Sequence, residues 1–277
     1  MTITAKVIAD SISEPGIRIT TLQLRYPKFI HGEFLTHRQF SRSSSSSRAI
    51  PVERLINDVI NDPVMPAFWG RNQKGMSASE ECDEPVNCPK RFFPGSREEA
   101  WTAAKNHAID MARAFANAGY HKQIVNRLLE PFCHINTVVT STEWSNFFAL
   151  RRHQDAQPEM RLLAEVMHEA IAKSNPELKQ CGAWHLPYAA ESTTTDEAIK
   201  VSVARCARVS YLTQEGTLPS IGEDLKLYNR LTSSVPLHAS PAEHQATPEP
   251  AAWKKFNLCG NFQGWVQYRK TLRGECQ

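Results

Sequence analysis

The chain has 277 residues, 41% of them hydrophobic, and a formal net charge of +3. Its length and apolar content favour a globular protein with a sizeable buried core, built as one large domain or two small ones. The charge is too small to indicate a nucleic-acid partner by itself, because nucleic-acid-binding domains carry a stronger and clustered basic excess.

Cysteine content and hydropathy bear on the cellular compartment. The seven cysteines are an odd number, and most are scattered without the spacing of metal ligands, which is typical of reduced thiols. No apolar run approaches the ~20 residues of a membrane-spanning helix, and the first residues lack the apolar stretch of a signal peptide. We therefore expect a soluble, cytoplasmic protein.

The first elements in chain order are two predicted strands. Apolar and polar residues alternate over residues 3–9 and, in part, over 17–24. Residues 14–16 between them contain Pro and Gly, so a hairpin is expected. Residues 29–40 are then predicted to form a short amphipathic helix that carries His37 near its end.

Residues 33–48, which we name the signature stretch, read EFLTHRQFSRSSSSSR. They combine one imidazole with three guanidinium groups and a row of hydroxyls, and they include almost no aliphatic side chain. Arginine forks, hydroxyls and backbone N–H groups in a turn suit phosphate oxygens. A phosphate-bearing ligand is therefore the first hypothesis.

The alternative for the serines at 43–47 is a flexible linker, as serine-rich runs usually are. Two features favour an ordered site. Arginines rather than glycines bracket the run, and it leads directly into apolar residues at helical spacing over 52–60, with Pro51 suited to a first helical turn.

Residues 61–95 contain several Pro and Gly residues, which predicts a long irregular surface segment that could act as a lid.

The central part, residues 96–175, is predicted to be helix-rich. Ser96 and Glu99 have the pattern of a capping box at the start of its first helix. The predicted helices cover residues 96–118, 121–130, 137–152 and 160–175.

The C-terminal part begins with a connector at 184–188 and continues with two predicted helices, one capped at Thr194 and one over 224–231. The motif HASPAEH follows at 238–244, and an aromatic segment over 256–268 closes the chain. Neither an internal repeat nor a domain boundary is evident. The sequence therefore predicts one α+β domain that is helix-rich in its middle.

Two arginines are candidate ligand-binding residues, because Arg127 and Arg151 lie in predicted helices among apolar neighbours. A guanidinium group in such surroundings needs an anion or a carboxylate partner. For each arginine, the alternative is a salt bridge inside the protein.

A metal site is not predicted. His238, Glu243 and His244 have a spacing that superficially resembles a metal-binding triad. Ser240-Pro241 would interrupt the helix that such a site needs, and no third ligand is evident.

The residues resemble those of the flavin-dependent thymidylate synthases. His37 and Arg38, with Ser46 eight residues after Arg38, resemble the family signature of Arg-His-Arg followed by seven residues and Ser. Residues 126–131 and 146–159 resemble the helices that hold nucleotide and flavin in that family.

A third match lies near the C-terminus. Residues 238–244 are similar to the family's His-x-Ser-Pro-x-Glu-His, and residues 204–211 resemble the segment before it. In the family these two segments precede the signature, whereas here they close the chain. The simplest interpretation is a circular permutation, in which the part from about Ser192 folds where the family's N-terminal part does.

The resemblance implies a single domain with a mixed sheet. Its parts would be a signature part at 1–60, a helical part at 96–175 and a permuted segment at 192–277, within one domain of residues 1–277. The permutation requires residues 192–247 to pack against the hairpin at 3–24, and it requires His238 to lie close to His37.

The family's functional residues carry over to named positions of this chain. The implied flavin contacts are His37, Arg38, Asn146, His238 and Ser240. The implied nucleotide contacts are Glu33, Ser44, Ser46, Arg48, Arg127 and Arg151. Arg151 matches the arginine that lies against the pyrimidine ring, where a fixed cation stabilises negative charge as C5 attacks the one-carbon unit. It is therefore the implied catalytic residue.

The resemblance implies an enzyme that transfers a one-carbon unit from methylenetetrahydrofolate to C5 of a pyrimidine deoxynucleoside monophosphate, most simply dUMP to dTMP. FAD reduced by NADPH would supply the hydride, and no protein nucleophile is needed, so the protein contributes positioning and electrostatics. The resemblance also implies a homotetramer whose sites are shared between subunits.

Departures from the family pattern leave the substrate open. Thr36 stands where the family has its first Arg, Ser43 and Ser44 where it has Asn and Glu, Ala49 where it has Tyr, and Glu33 where Gln is usual. A site that hydrogen-bonds a base edge discriminates strongly against mismatched donors and acceptors. The changes either retarget the pocket to dCMP, for methylation or hydroxymethylation, or are neutral. A hypothesis of another class is a single-stranded nucleic-acid-binding module with aromatic stacking platforms.

Overall fold

The computed structural model describes residues 2–87, 95–189, 194–213 and 215–275. The boundary predicted near Ser192 lies outside these residues. The chain has an α+β fold, in which a five-stranded sheet carries helices on one face and is covered on the other by residues 184–189, 194–213 and 215–275, which we name the C-terminal layer. Within the described ranges, no helix is both long enough and apolar enough to cross a membrane.

The elements follow one another along the chain with these bounds. The strands are β1 (Thr4–Ser13), β2 (Arg18–Pro27), β3 (Ser41–Ser44), β4 (His134–Ser141), β5 (Glu177–Lys179), β6 (Ala246–Pro248) and β7 (Trp265–Gln267). The α-helices are α1 (His31–Phe34), α2 (Val52–Asn61), α3 (Arg97–Asn117), α4 (Lys122–Val125), α5 (Ser145–Arg151), α6 (Pro158–Ala172), α7 (Thr195–Ala207) and α8 (Ile221–Ser233). Turns of 3-10 helix cover Lys28–Ile30, Asn126–Phe132, Ser240–Glu243, Ala251–Phe256 and Tyr268–Thr271.

The main sheet has the strand order β3-β4-β2-β1-β5. Neighbouring strands are antiparallel except β1 and β5, which are parallel, so the sheet is mixed, as predicted. β1 and β2 form the predicted hairpin. Gly16 in its turn has a φ of +86°, a left-handed conformation that glycine adopts without strain. β6 and β7 pair separately.

The prediction of a helix over 137–152 is wrong in its first part. β4 occupies His134–Ser141 between β2 and β3, and the helix that follows covers only Ser145–Arg151. Residues 137–140 are Thr, Val, Val and Thr, and such β-branched side chains favour a buried, pleated strand. The prediction extended the helix that contains the following aromatic residues too far towards the N-terminus, into the strand.

The signature stretch is also more extended than predicted. The helix expected over 29–40 is limited to a 3-10 turn and the four residues of α1, and Ser41–Ser44 form the edge strand β3 on β4. Part of the serine run is therefore a strand and not a flexible linker. Side chains alternate across it, so Ser41 and Ser43 face the C-terminal layer while Arg42 and Ser44 face the other side.

Apolar packing fixes both faces of the sheet. On one face, β2 and β4 pack against α5 and α6. On the other, Val138 of β4 packs with Tyr188 and Cys206, and Ile19 of β2 packs with Trp265. The C-terminal layer thus packs against the hairpin, as the resemblance requires. The circular permutation itself stays a prediction, and so does the short distance expected between His238 and His37.

The irregular segment predicted at 61–95 covers helix α3. Its described part has no regular helix or strand beyond the end of α2. Trp69 contacts Trp101 of α3 edge to face with ring centroids 5.9 Å apart, and Trp101 Nε1 donates to the Val64 carbonyl oxygen at 2.9 Å. The segment is therefore anchored on α3 by aromatic packing, and its function as a lid stays a prediction.

A row of hydroxyl groups crosses the sheet face under the C-terminal layer. Ser11, Thr21, Thr140 and Ser43, on β1, β2, β4 and β3, form this hydroxyl row, in which Thr21 Oγ1 and Thr140 Oγ1 lie 2.7 Å apart. Ser11, Thr21 and Thr140 are fully or nearly buried. Buried hydroxyls need hydrogen-bond partners, and the C-terminal layer supplies them.

Two imidazoles of the C-terminal layer bridge the hydroxyl row. His185 lies 2.9 Å from Ser11 Oγ and 2.7 Å from Thr21 Oγ1. His244 lies 2.9 Å from Thr140 Oγ1 and 3.0 Å from Ser43 Oγ. Complete burial lowers the pKa of each histidine to about 3, so both are neutral at pH 7.

Candidate active site

A pocket of about 260 Å³ opens between the turn that follows α1 and helix α5. Its lining residues are Thr36, His37, Arg38, Gln39, Phe40, Glu143, Asn146, Phe147, Leu150 and Arg151. Four predicted ligand contacts are among them, His37, Arg38, Asn146 and Arg151. The fold therefore brings together residues from two separate stretches of sequence.

The turn that carries His37 is held by an arginine of the neighbouring strand. Arg42 Nη1 donates to the carbonyl oxygens of Leu35 and His37, each at 2.9 Å. Phe40 is buried beside Phe147 of α5, with ring centroids 5.2 Å apart. Backbone and core thus fix the pocket wall from both sides.

The centre of the pocket wall is a contact among three predicted residues. Arg151 forms an ion pair with Glu33, and its Nε donates to His37 Nε2 at 2.9 Å. Because Nε2 accepts this hydrogen bond, a neutral His37 ring carries its proton on Nδ1. The salt bridge considered for Arg151 therefore exists; Arg151 and His37 line the pocket, and Glu33 pairs with Arg151 from outside its lining.

The electrostatics of the pocket keep His37 uncharged. Burial, followed by the positive charges of Arg151 and Arg42, lowers the pKa of His37 to about 4. At pH 7 this imidazole is a hydrogen-bonding group of fixed tautomer and not a proton donor in acid catalysis. Phe147 packs against its ring edge to face at a centroid distance of 4.8 Å.

The remaining residues assigned to the nucleotide lie along β3 and the loop after it. Ser44 Oγ is 3.0 Å from Thr137 Oγ1, on the side of the sheet opposite His244. Ser46 Oγ accepts from the backbone N–H of Arg48 at 3.3 Å, in an exposed turn. Ser44 is therefore tied to the sheet, whereas Ser46 and Arg48 are open to solvent.

Arg127 lies beside this loop. Its Nη1 pairs with Glu130 at 3.1 Å, and Glu130 also accepts from Ser47 Oγ at 3.2 Å and from Lys28 Nζ at 2.5 Å. The Arg127 side chain is 59% exposed. An exposed guanidinium next to a polar turn can bind an anion, so the loop and Arg127 form a second assigned cluster outside the pocket.

His238 and Ser240 form a third group, at the start of the turn Ser240–Glu243. Both are exposed, and neither lines the pocket. Glu243 of the same turn forms an ion pair with Arg269, and His244 bonds to the hydroxyl row. In the part of the chain that the structure describes, no group of three or more His, Cys, Asp or Glu side chains could hold a metal ion.

Sequence reasoning missed several residues that build the site. Arg42 was counted among the guanidinium groups of the signature stretch, but its Nη1 donates to the two backbone carbonyls that shape the pocket. Thr137 and Thr140 were assigned to a helix, and His185 to a connector. The β-branched run at 137–140 was the available signal for β4. Nothing in the sequence near His185 indicated its burial.

Comparison with known families gives one match of substantial length. The family model Thy1, thymidylate synthase complementing protein, matches residues 18–177. The matched range runs from the start of β2 to the start of β5, so it contains the signature stretch and the pocket. Among curated protein sequences, none matches the chain.

Two solved structures resemble the chain at low identity. The UMP/dUMP methylase PolB from Streptomyces cacaoi, bound with 5-Br dUMP, is 17% identical and aligns over 62% of this chain and 90% of that one, with a TM-score of 0.45. Thymidylate Synthase X from Helicobacter pylori, with FAD and dUMP, is 14% identical and aligns over 55% and 67%, with a TM-score of 0.39. Similarity at this level assigns no ligand to this chain.

The family match and the geometry agree on one region of the molecule. The family model covers more than half of the chain, and the matched part holds the pocket lined by His37 and Arg151, together with the Glu33 that pairs with Arg151. The chain therefore belongs to the family of thymidylate synthase complementing proteins, and it is an enzyme of the flavin-dependent, thymidylate synthase-like methyltransferase class.

Proposed function

We propose that this enzyme transfers a one-carbon unit from methylenetetrahydrofolate to C5 of a pyrimidine deoxynucleoside monophosphate, most simply dUMP to dTMP, with FAD as cofactor and NADPH as reductant. The observation that carries the proposal is the contact between Arg151 and His37 at 2.9 Å. The resemblance assigns Arg151 to the nucleotide and His37 to the flavin. Hydride transfer requires the two ligands to be adjacent, and a pocket in which their assigned residues touch supports that arrangement.

The chemistry of the pocket fits the edge of a flavin ring. Arg38 and Asn146 are exposed at its rim, where their N–H groups can donate to ring carbonyl and nitrogen acceptors. Phe147 and Leu150 supply apolar contact. When bound, a reduced flavin supplies the hydride. The protein's own part is to orient the ring, through donors held on α5 and on the turn after α1.

Arg151 would act on the pyrimidine. Its ion pair with Glu33 and its hydrogen bond to His37 hold the guanidinium group at the pocket wall. A cation that is already in place needs no reorganisation when negative charge develops on the base. The pocket thus supplies orientation and charge stabilisation, which is what a reaction without a protein nucleophile requires.

The size of the pocket supports a site shared between subunits. Its volume of about 260 Å³ is below the roughly 300–1,000 Å³ that is usual for small-molecule sites. Arg48, Arg127, His238 and Ser240 lie outside it. In the proposed homotetramer, neighbouring copies would bring these groups to the flavin and to the nucleotide phosphate.

The experiment that tests the proposal is reconstitution with FAD. Apo-protein titrated with FAD and followed by flavin fluorescence should show saturable binding at micromolar flavin. The loaded protein should then turn over dUMP or dCMP when methylenetetrahydrofolate and NADPH are supplied. Without saturable binding the flavoenzyme proposal would fail, and binding of single-stranded nucleic acid would be the hypothesis to test next.

A second candidate substrate is dCMP, and one contact favours it. Glu33 pairs with Arg151 at a position where the family usually has Gln. A carboxylate only accepts hydrogen bonds, and it suits the exocyclic amino group of cytosine, whereas an amide can also donate to the O4 carbonyl of uracil. Glu33 is therefore the residue through which the pocket would select cytosine.

Glu33→Gln should shift the substrate preference towards uracil. We expect the ratio of kcat/KM for dUMP to that for dCMP to rise about tenfold or more, since a matched base contact contributes about 1–3 kcal/mol of discrimination. Both nucleotides are assayed side by side. Glu143→Gln is the matched control, because it makes the same change at a carboxylate that lines the pocket. If both variants keep the wild-type ratio, Glu33 does not read the base.

A further inference from the structure

The hydroxyl row ends inside the signature stretch, at Ser43. Ser43 is half-buried, whereas Ser11, Thr21 and Thr140 are buried. Its partner His244 directly follows the turn Ser240–Glu243. One imidazole therefore joins β3 to the turn that begins with Ser240 and directly follows His238–Ala239, so that two predicted flavin contacts lie at or next to its start.

The turn has a buried side and an exposed side. Pro241 and Ala242 are buried against the layer, while His238 and Ser240 are exposed. The buried side cannot move without disturbing the core. The residues that hold the buried side in place therefore also determine the position of the exposed residues. His244, the residue directly after the turn, is one of these anchoring residues, and it is completely buried.

A second residue, on β7, also restrains the same turn by hydrogen bonds. Gln267 Nε2 donates to the Glu243 carbonyl oxygen at 3.1 Å and to Ser41 Oγ at 3.1 Å. Both restraints run from the turn region to the same face of β3, one to Ser41 and one to Ser43. The relative placement of β3 and the turn is thus set by side chains that do not line the pocket.

We propose that His244 is a positioning residue, whose hydrogen bond to Ser43 sets where the turn Ser240–Glu243 stands relative to β3 and hence where His238 and Ser240 meet the flavin. This inference rests on the proposed function. His244 acts through the turn and not on the ligand. His185 makes the equivalent pair of bonds at the remote end of the row, to Ser11 and Thr21. Its side chain bridges β1 and β2 and not β3, while its backbone pairs with Ala246, two residues beyond His244.

That symmetry provides a matched pair of variants. Ser43→Ala and Ser11→Ala each delete one serine hydroxyl and each leave one nitrogen of a buried imidazole without its partner. Because the chemical loss is the same, both should lower the melting temperature by a similar amount, about 5 °C. Only Ser43→Ala removes a bond between β3 and the segment that follows the turn.

The measurement is the dissociation constant of FAD for each variant. Ser43→Ala should raise it about tenfold, because a loosened support misplaces the contacts it carries, while Ser11→Ala should stay within about twofold of the wild type. Ser43→Thr keeps the hydroxyl and should restore the wild-type value. Should Ser43→Ala lose its cooperative melting transition, Ser43→Cys, which keeps a weak S–H partner, replaces it in the same comparison.

Equal FAD affinities for the Ser43 and Ser11 variants would overturn the positioning role, and so would a Ser43→Thr variant as weak as the alanine variant. A wild-type protein that binds no FAD is a different outcome. It would overturn the proposed function, on which this inference depends, before any variant is compared.

Discussion

Arg151→Ala is expected to lower turnover per bound flavin by about a hundredfold or more, a loss on the order of 3 kcal/mol of transition-state stabilisation. The guanidinium group is held by Glu33 and by His37 at the pocket wall. Removing it deletes a preorganised cation where charge develops on the base. Flavin affinity should change little, because Arg38 and Asn146 remain. The quantity to measure is turnover normalised to bound flavin.

Two companion variants make the result specific. Arg152→Ala removes the next arginine of the same helix end, which pairs with Glu165 at 3.0 Å on the surface, and it should leave normalised turnover within about twofold. Arg151→Lys should restore little, because a point charge cannot reproduce a planar, bidentate contact. Arg151→Ala could instead show a lower melting temperature and a lower flavin content with unchanged normalised turnover. In that case the ion pair with Glu33 has a structural role and Arg151 is not an active-site residue.

Acid should destabilise the fold steeply below pH 6.5, because two buried histidines must stay neutral. The pKa of a histidine in the unfolded chain is near 6.5, and burial lowers that of His185 and of His244 to about 3. Between these values the unfolded chain binds protons that the folded chain does not. The free energy of unfolding therefore falls as the pH falls from 6.5 towards 3, and these groups do not change it above 6.5.

The expected size of this effect is large. Each histidine contributes up to about 1.4 kcal/mol per pH unit, so the pair accounts for roughly 6 kcal/mol by pH 4, which is comparable with the whole stability of many domains. Burial dominates the shift at both sites. Near His185, the charge of Asp10 raises the pKa and that of Lys179 lowers it, both in smaller measure.

Urea denaturation at pH 7, 6, 5 and 4.5 measures this slope. His244→Gln should be less stable than the wild type at pH 7, but its loss between pH 7 and 4.5 should be smaller than that of the wild type by about a quarter, because the pKa values of His37 and His134 are also lowered to about 4 and add comparable losses. His107→Gln, at an exposed position of α3, should keep the wild-type slope. A His244→Gln slope equal to that of the wild type would show that this histidine is not the source.

Local pattern in the sequence predicted the parts of the fold that local physics determines. The hairpin of β1 and β2 follows from alternation and a glycine turn, and α3 begins at the predicted capping box of Ser96 and Glu99. β4 was missed because a β-branched run and an aromatic helix adjoin without a breaker between them. The hydroxyl row could not be predicted from local sequence patterns, because its partners are far apart in the chain: Ser11 and His185 are separated by 174 residues.

Sequence reasoning named several residues that the fold brings together, but it did not predict how they are arranged. The resemblance named Glu33, His37 and Arg151 from two stretches, and the fold brings them into contact. It could not indicate that Arg42 would shape the turn through backbone carbonyls, because that contact depends on how β3 is oriented on β4. The assignment of all these residues to ligands, and that of Arg127, His238 and Ser240, stays a prediction.

The hydroxyl row also couples the proton positions of two distant histidines. A neutral imidazole has one donor and one acceptor nitrogen, and each hydroxyl in the row can donate once. If Ser43 donates to His244 Nε2, then His244 donates from Nδ1 to Thr140, Thr140 donates to Thr21, Thr21 donates to His185 Nε2, and His185 donates from Nδ1 to Ser11. Both rings are then Nδ1–H tautomers. In the reverse order both are Nε2–H, and Ser43 keeps a free proton to offer a ligand. The two rings should therefore switch tautomer together, as nitrogen chemical shifts would report.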